Sequence, residues 1–135
     1  MLKGILHPVD ALQARAIGVD GIIGSNYGAR QLDGTVSPMR VLPQILDTVN
    51  GMPVMIDGGF RRGSDALKVL ALDASAAFCG RPFMNAAAVA EQPGTARAIQ
   101  LLRDEVDQNM AMLGVTELAE LPPNFLLKKD DFDAH

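Results

Sequence analysis

Pro53–Ala74 reads PVMIDGGFRRGSDALKVLALDA, and the succession of residue types along it decides the fold. An apolar run into Asp57 is followed by a glycine-rich turn with two arginines. Ser64-Asp65 then opens a stretch in which Leu67, Leu70 and Ala71 recur at helical spacing. The reading is strand, loop, helix. The same unit recurs on both sides. Upstream, the apolar run Lys3–Leu6 precedes His7-Pro8, and proline suits a first helical position because its missing N–H would have no partner there. That helix, about Pro8 to Ile17, is expected to bury Val9, Leu12 and Ala16 and to stop at Gly18. Gly21–Ser25 reads as a second strand and the polar stretch Asn26–Thr35 as a loop. Ser37-Pro38 opens the clearest amphipathic helix, with Leu42, Ile45, Leu46 and Val49 at i, i+3, i+4 and i+7, closed by Asn50-Gly51.

Downstream of the deciding stretch, Ala76–Cys79 makes a fourth strand, followed by Gly80-Arg81-Pro82. Phe83–Ala90 is a short extra helix, and Ala96–Leu113 a longer one that turns Ile99, Leu102, Val106, Met110 and Leu113 inward. Thr116–Leu121 adds one more turn. Residues 1–121 are expected to form one domain and 122–135 a polar tail.

Continuously apolar strands alternating with helices mean an α/β fold: a parallel sheet covered by helices. A complete (β/α)8 barrel takes ~200 residues at the least, so 135 residues supply half of one. The alternative is a small open doubly wound sheet, but no strand runs into a GxGxxG fingerprint. Glycine-rich or charged residues after the last three strands suit the functional face of a barrel. A half-barrel leaves two strand edges, near Lys3–Leu6 and Ala76–Cys79, and an apolar inner face, read here as Ile5, Ile22, Val54 and their neighbours. Closure by a second copy or by a complementing N-terminal half is therefore expected.

Composition excludes several classes. With 12 Lys and Arg against 16 Asp and Glu the formal charge is −4, and there is one Tyr, five Phe and no Trp. A nucleic-acid surface needs clustered cations and stacking rings, so none is expected. Apolar residues make up 48% of the chain and charged ones 21%, enough for a packed core. A single Cys excludes an internal disulfide framework and fits a reducing compartment, the cytoplasm. No apolar run approaches the ~18 residues of a membrane span, and MLKGIL is too short for the apolar part of a signal peptide.

Three strings, GIIGSNYGARQLD (Gly21–Asp33), Pro53–Ala74 and CGRPF (Cys79–Phe83), strongly resemble the C-terminal half of the FMN-dependent α-hydroxy-acid oxidoreductases, the family of glycolate oxidase, lactate dehydrogenase and mandelate dehydrogenase. The resemblance runs from Lys3 to about Leu121. It implies a register for the half-barrel, strands five to eight, with FMN as cofactor and a small 2-hydroxy acid as substrate. Lys3 stands where the family's flavin-contacting lysine does, and a cation there stabilises negative charge on the reduced flavin; the bland alternative is a surface lysine at a strand end. Arg30 matches the arginine that binds the substrate carboxylate, for which a planar guanidinium fork is suited. The competing reading is an ion pair with Asp33.

Asp57, Gly58, Gly59 and Arg61 after the third strand, and Gly80 and Arg81 after the fourth, match the FMN phosphate loops. Glycines admit backbone N–H groups to phosphate oxygens, a helix N-terminus adds positive potential, and arginines neutralise the dianion. Barrel phosphate sites form from the loops after strands seven and eight with a short extra helix. Arg62 reads as a solvated neighbour and Cys79 as a small core residue.

Tyr27 departs from the family, which has SNHGARQLD, the His serving as base in α-carbon oxidation. A phenol, titrating near ~10, does not replace an imidazole titrating near ~6.5. With the family's first half also missing from this stretch, the chain alone is expected to be inactive; a non-catalytic phosphate- or flavin-nucleotide-binding half-barrel, or a decayed fragment, is the alternative. His7 reads as a solvated helix cap.

Overall fold

The computed structural model describes residues 1–127. Four strands, β1 (Leu2–Lys3), β2 (Ile22–Ser25), β3 (Val54–Asp57) and β4 (Ala76–Phe78), form one parallel sheet in chain order. Helices α1 (Pro8–Ala16), α2 (Pro38–Val49) and α3 (Gly63–Ala71) link successive strands, and α4 (Arg81–Leu113) follows the last. Every strand thus ends its run at the same edge of the sheet, the arrangement that gathers βα loops into one site.

Register fixes which side chains share a face. Leu2, Ile22 and Val54 are neighbours across the sheet, as are Lys3, Ile23, Met55 and Ala76. Ile22, Val54 and Ile56 are fully buried in one cluster with Ala11, Leu42, Ile45, Val49 and Val69, so this face packs on the helices. The inner face expected from Ile22 and Val54 is corrected accordingly: Lys3, Ile23, Met55 and Ala76 form it, with Phe78 exposed near its rim. An unbroken apolar run carries no phase, so the sequence could not say which residues point which way.

Helix α2 is as read: Leu42, Ile45 and Val49 are fully buried, and Asn50 closes it in the left-handed conformation at φ 36°. Helix α1 is not. It buries Ala11 and Ala14 and leaves Val9 and Leu12 half exposed. Small residues let α1 lie close against α2, and the larger apolar residues are left uncovered. His7 does cap α1, its Nδ1 accepting the Val9 N–H at 3.2 Å.

The two helices expected after β4 are the two arms of α4, broken at Ala90 and Glu91, where Glu91 has φ 47°. Gly94 crosses the first arm so closely that a Cβ there would collide with the Ala86 carbonyl. Val106 and Met110 pack on α3 with Leu67, Ala71 and Leu121, whereas Ile99 and Leu113 stay exposed. Pro123–Phe125 forms a short 3-10 turn, and Leu126, in the segment read as tail, joins the α3–α4 cluster. Residues 128–135 of that segment lie outside the described residues.

Helices α1 and α3 end alike but with different residues. Gly18 follows α1 at φ 79°, and Asp73 follows α3 at φ 76°, where a side chain is strained. Asp73→Gly is expected to stabilise the chain by ~0.5–1 kcal/mol, read as a raised denaturant midpoint at unchanged slope; a lowered midpoint would contradict the strain.

Candidate functional site

The residues singled out in the sequence converge on one cleft of about 530 Å³ at the C-terminal ends of the strands. Lys3 ends β1; Tyr27 and Arg30 lie in the loop after β2; Asp57 ends β3 and leads into Gly58, Gly59 and Arg61; Gly80 and Arg81 follow β4. All nine line the cleft. Its lining carries four cations, Lys3, Arg30, Arg61 and Arg81, against one carboxylate, Asp57, a net charge of +3.

That carboxylate is already engaged. Lys3 Nζ lies 2.6 Å from Asp57 Oδ2, and the same oxygen accepts the Ser25 hydroxyl at 3.1 Å. Ser25 Oγ in turn accepts the Tyr27 N–H at 3.1 Å. Ser25 is buried, pairs with Asp57 across β2 and β3, and so fastens the β2 loop to the β3 loop. It is the site residue that the sequence reading passed over, since its part is visible only once the register is known.

Tyr27 sits at φ 53° in a short 3-10 turn, Tyr27–Ala29, whose first turn is closed by Asn26 Oδ1 accepting the Gly28 N–H. Its hydroxyl donates to the Lys3 carbonyl oxygen at 3.2 Å, and the Lys3 ammonium stands 5.8 Å from the ring centroid. Gly4 is bare beneath the ring; a Cβ there would lie 2.6 Å from the phenol oxygen. Arg30 is exposed and makes no ion pair among the described residues; Asp33 instead accepts its neighbour Gly34 N–H. The Arg30–Asp33 alternative is thereby set aside.

The cleft has the features of an anion cradle. Nothing lies within 4 Å of where a Cβ would stand on Gly59 or Gly80, and neither amide N–H has a hydrogen-bond partner among the described residues. Gly58 and Gly59 hold φ values of 134° and 82°, conformations that glycine alone adopts without strain. The guanidinium of Arg81 crosses toward the β2 loop, its Nη2 standing 3.0 Å from where a Gly28 Cβ would be. Open amides, a helix N-terminus and free arginines are what a phosphate dianion needs.

Cys79 lies behind the cleft, half-buried, its thiol donating to the Phe60 carbonyl at 3.1 Å. Burial, then the charges of Asp65 and Asp57, push the thiol pKa up, so this group stays protonated and structural.

Residues 1–128 match the model of the FMN-dependent dehydrogenase family. The chain belongs to that family. Among its relatives, L-lactate oxidase of Lysinibacillus sphaericus is 45% identical over 134 residues, 98% of this chain and 35% of that protein. L-lactate dehydrogenase (cytochrome) of Saccharomyces cerevisiae is 42% identical over 132 residues, 93% of this chain and 22% of that protein. A crystal structure of a soluble mutant of the membrane-associated (S)-mandelate dehydrogenase from Pseudomonas putida matches at a TM-score of 0.90 and 42% identity, over 95% of this chain and 37% of that one. The parallel α/β fold is thus that of the barrel oxidoreductases of the family. The chain spans roughly a third or less of the length of these curated relatives. No helix among the described residues is long and apolar enough to cross a membrane.

Proposed function

We propose that the cleft binds FMN and that the chain corresponds to the C-terminal half, strands five to eight, of a 2-hydroxy-acid dehydrogenase or oxidase barrel. The observation that carries this is the convergence of Lys3, Arg30, Arg61 and Arg81 with two open glycine amides in one cleft of net charge +3. Arg61, Gly80 and Arg81 hold the phosphate; Asp57, Gly58 and Gly59 shape the loop beneath it; Lys3 faces the flavin ring; Arg30 takes the substrate carboxylate. Bound there, FMN supplies the two-electron acceptor for oxidation of a 2-hydroxy acid to a 2-oxo acid.

Tyr27 favours a second reading for the chain by itself, a flavin-nucleotide-binding half-barrel without turnover. Its hydroxyl proton is committed to the Lys3 carbonyl, so the group at the family's base position is a donor. The test is to purify the chain with FMN and record flavin absorbance before and after adding lactate, glycolate or mandelate. Flavin is expected to co-elute with the protein and keep its oxidised spectrum. Loss of flavin on gel filtration contradicts the binding, and rapid bleaching contradicts the role given to Tyr27.

Assembly follows from the sheet. Edges β1 and β4 and an inner face bearing Ile23, Met55 and Phe78 leave backbone groups and apolar surface open, at ~25 cal/mol per Å² of apolar area. A second copy or a complementing N-terminal half covers them, in a cytoplasmic setting. Light scattering is expected to show a dimer or larger species; a monomer whose cooperative melt is independent of concentration would sink the closure.

A further inference from the structure

We propose that Glu105, far along α4, is a positioning residue for the loop between β3 and α3, and through it for Arg61. The proposal rests on reading the cleft as a phosphate site and names what holds that site in shape.

Three consecutive amides of the loop are fixed by two carboxylates. Asp65 Oδ2 accepts the N–H groups of Arg61 and Arg62, each at 3.1 Å. Glu105 Oε2 accepts the N–H of Gly63 at 2.8 Å, and Glu105 Oε1 accepts Arg62 Nη1 at 2.6 Å. Asp65 belongs to the helix it caps, whereas Glu105 comes from another element and so ties the loop to α4. Gly63 makes this possible: a Cβ on it would stand 2.7 Å from Val106 N and 2.9 Å from the Glu105 carbonyl carbon. Only a bare Cα lets the start of α3 press against α4 closely enough for Glu105 to reach the amide.

Two consequences follow. An anion at the start of α3 finds the amides of Arg61, Arg62 and Gly63 already accepted, so the phosphate draws instead on the Arg61 guanidinium and on Gly80 and Arg81. The paired arginines are also sorted: Arg62 is held toward α4, and Arg61 alone of the two lines the cleft. Glu105 stands on the second arm of α4, beyond the break at Ala90 and Glu91, so it ties the loop to that arm and not to the Arg81 arm.

The Glu105 pKa is lowered chiefly by the Gly63 N–H and then by the Arg62 side chain, as a charged double acceptor requires. The Arg62 limb is largely solvent-exposed, with a side-chain exposure of 73%, and such pairs contribute little. The backbone limb is the positioning contact.

The experiment titrates FMN and riboflavin, which lacks the phosphate, into the unaltered chain and four variants, with amide hydrogen exchange of the Phe60–Ser64 segment as a second readout. Glu105→Met, which keeps the stem and removes the acceptor, is expected to weaken FMN ~10-fold, leave riboflavin unchanged and speed exchange in that segment. Glu105→Gln, which keeps an acceptor oxygen, and Arg62→Ala are expected to stay within ~3-fold of the unaltered chain. If Glu105→Met fails to fold, Glu105→Asp decides: its shorter carboxylate falls short of Gly63, and FMN weakens while charge is kept. Unchanged FMN affinity in the folded Met or Asp variant overturns the proposal, as does an Arg62→Ala loss equal to that of Glu105→Met. If the unaltered chain binds FMN no better than riboflavin, the phosphate reading itself falls and takes this proposal with it.

Discussion

Placing histidine at position 27, with the N-terminal half of a relative supplied, is expected to raise turnover of a 2-hydroxy acid by ~10²–10⁴ over the same complex carrying Tyr27, the range for a positioned general base. Tyr27 is poorly placed for that work on this geometry. Its N–H is held by Ser25 Oγ and its hydroxyl by the Lys3 carbonyl, so the ring spans the mouth of β1 with its proton spent on the backbone. A histidine side chain is shorter than tyrosine, does not reach the Lys3 carbonyl, and titrates near ~6.5. It therefore presents a basic nitrogen to the cleft at neutral pH, taking either the α-proton or the hydroxyl proton of the substrate. Stopped-flow bleaching of the flavin by lactate, glycolate or mandelate reads the effect. A histidine variant no faster than the Tyr27 complex would remove position 27 from the chemistry.

Loss of Arg81 is the second large effect. Arg81→Ala is expected to weaken FMN by ~1.5–3 kcal/mol, the scale of a charge-assisted hydrogen bond, or about 10- to 150-fold, and to leave riboflavin nearly untouched. Arg81 stands at the first position of α4 with its guanidinium against Gly28, so it serves phosphate and loop together. Arg81→Lys is expected to recover only part of the loss, since an ammonium cannot reproduce the planar fork. Fluorescence quenching of the two flavins measures both; an Arg81→Ala variant that binds FMN as well as the unaltered chain would relocate the phosphate.

The alternation of strands and helices was legible because punctuation marks it: Pro8 and Pro38 at helix starts, Gly18 and Gly114 at helix ends. The phase of the strands was not, and Ile22 and Val54 were assigned to the wrong face. Deciding that needs the register Leu2–Ile22–Val54. Helix α1 misled because its small residues, Ala11 and Ala14, make the buried contact while its larger ones stay exposed. The nine candidate residues were legible as neighbours because parallel strands bring all their C-terminal loops to one edge, so residues at four separate places had to meet. Ser25 and Glu105 were not. Ser25 acts through the strand opposite, and Glu105 lies 42 residues from the amide it accepts, a separation that no local pattern signals.

Calorimetric titration of the unaltered chain with FMN and with riboflavin, side by side, tests the central claim most directly. If Arg61, Gly80 and Arg81 form a phosphate cradle, FMN binds at least ~10²-fold more tightly than riboflavin, as several charge-assisted bonds to one dianion require, and inorganic phosphate competes. Equal affinities for the two flavins, with no effect of phosphate, would contradict it.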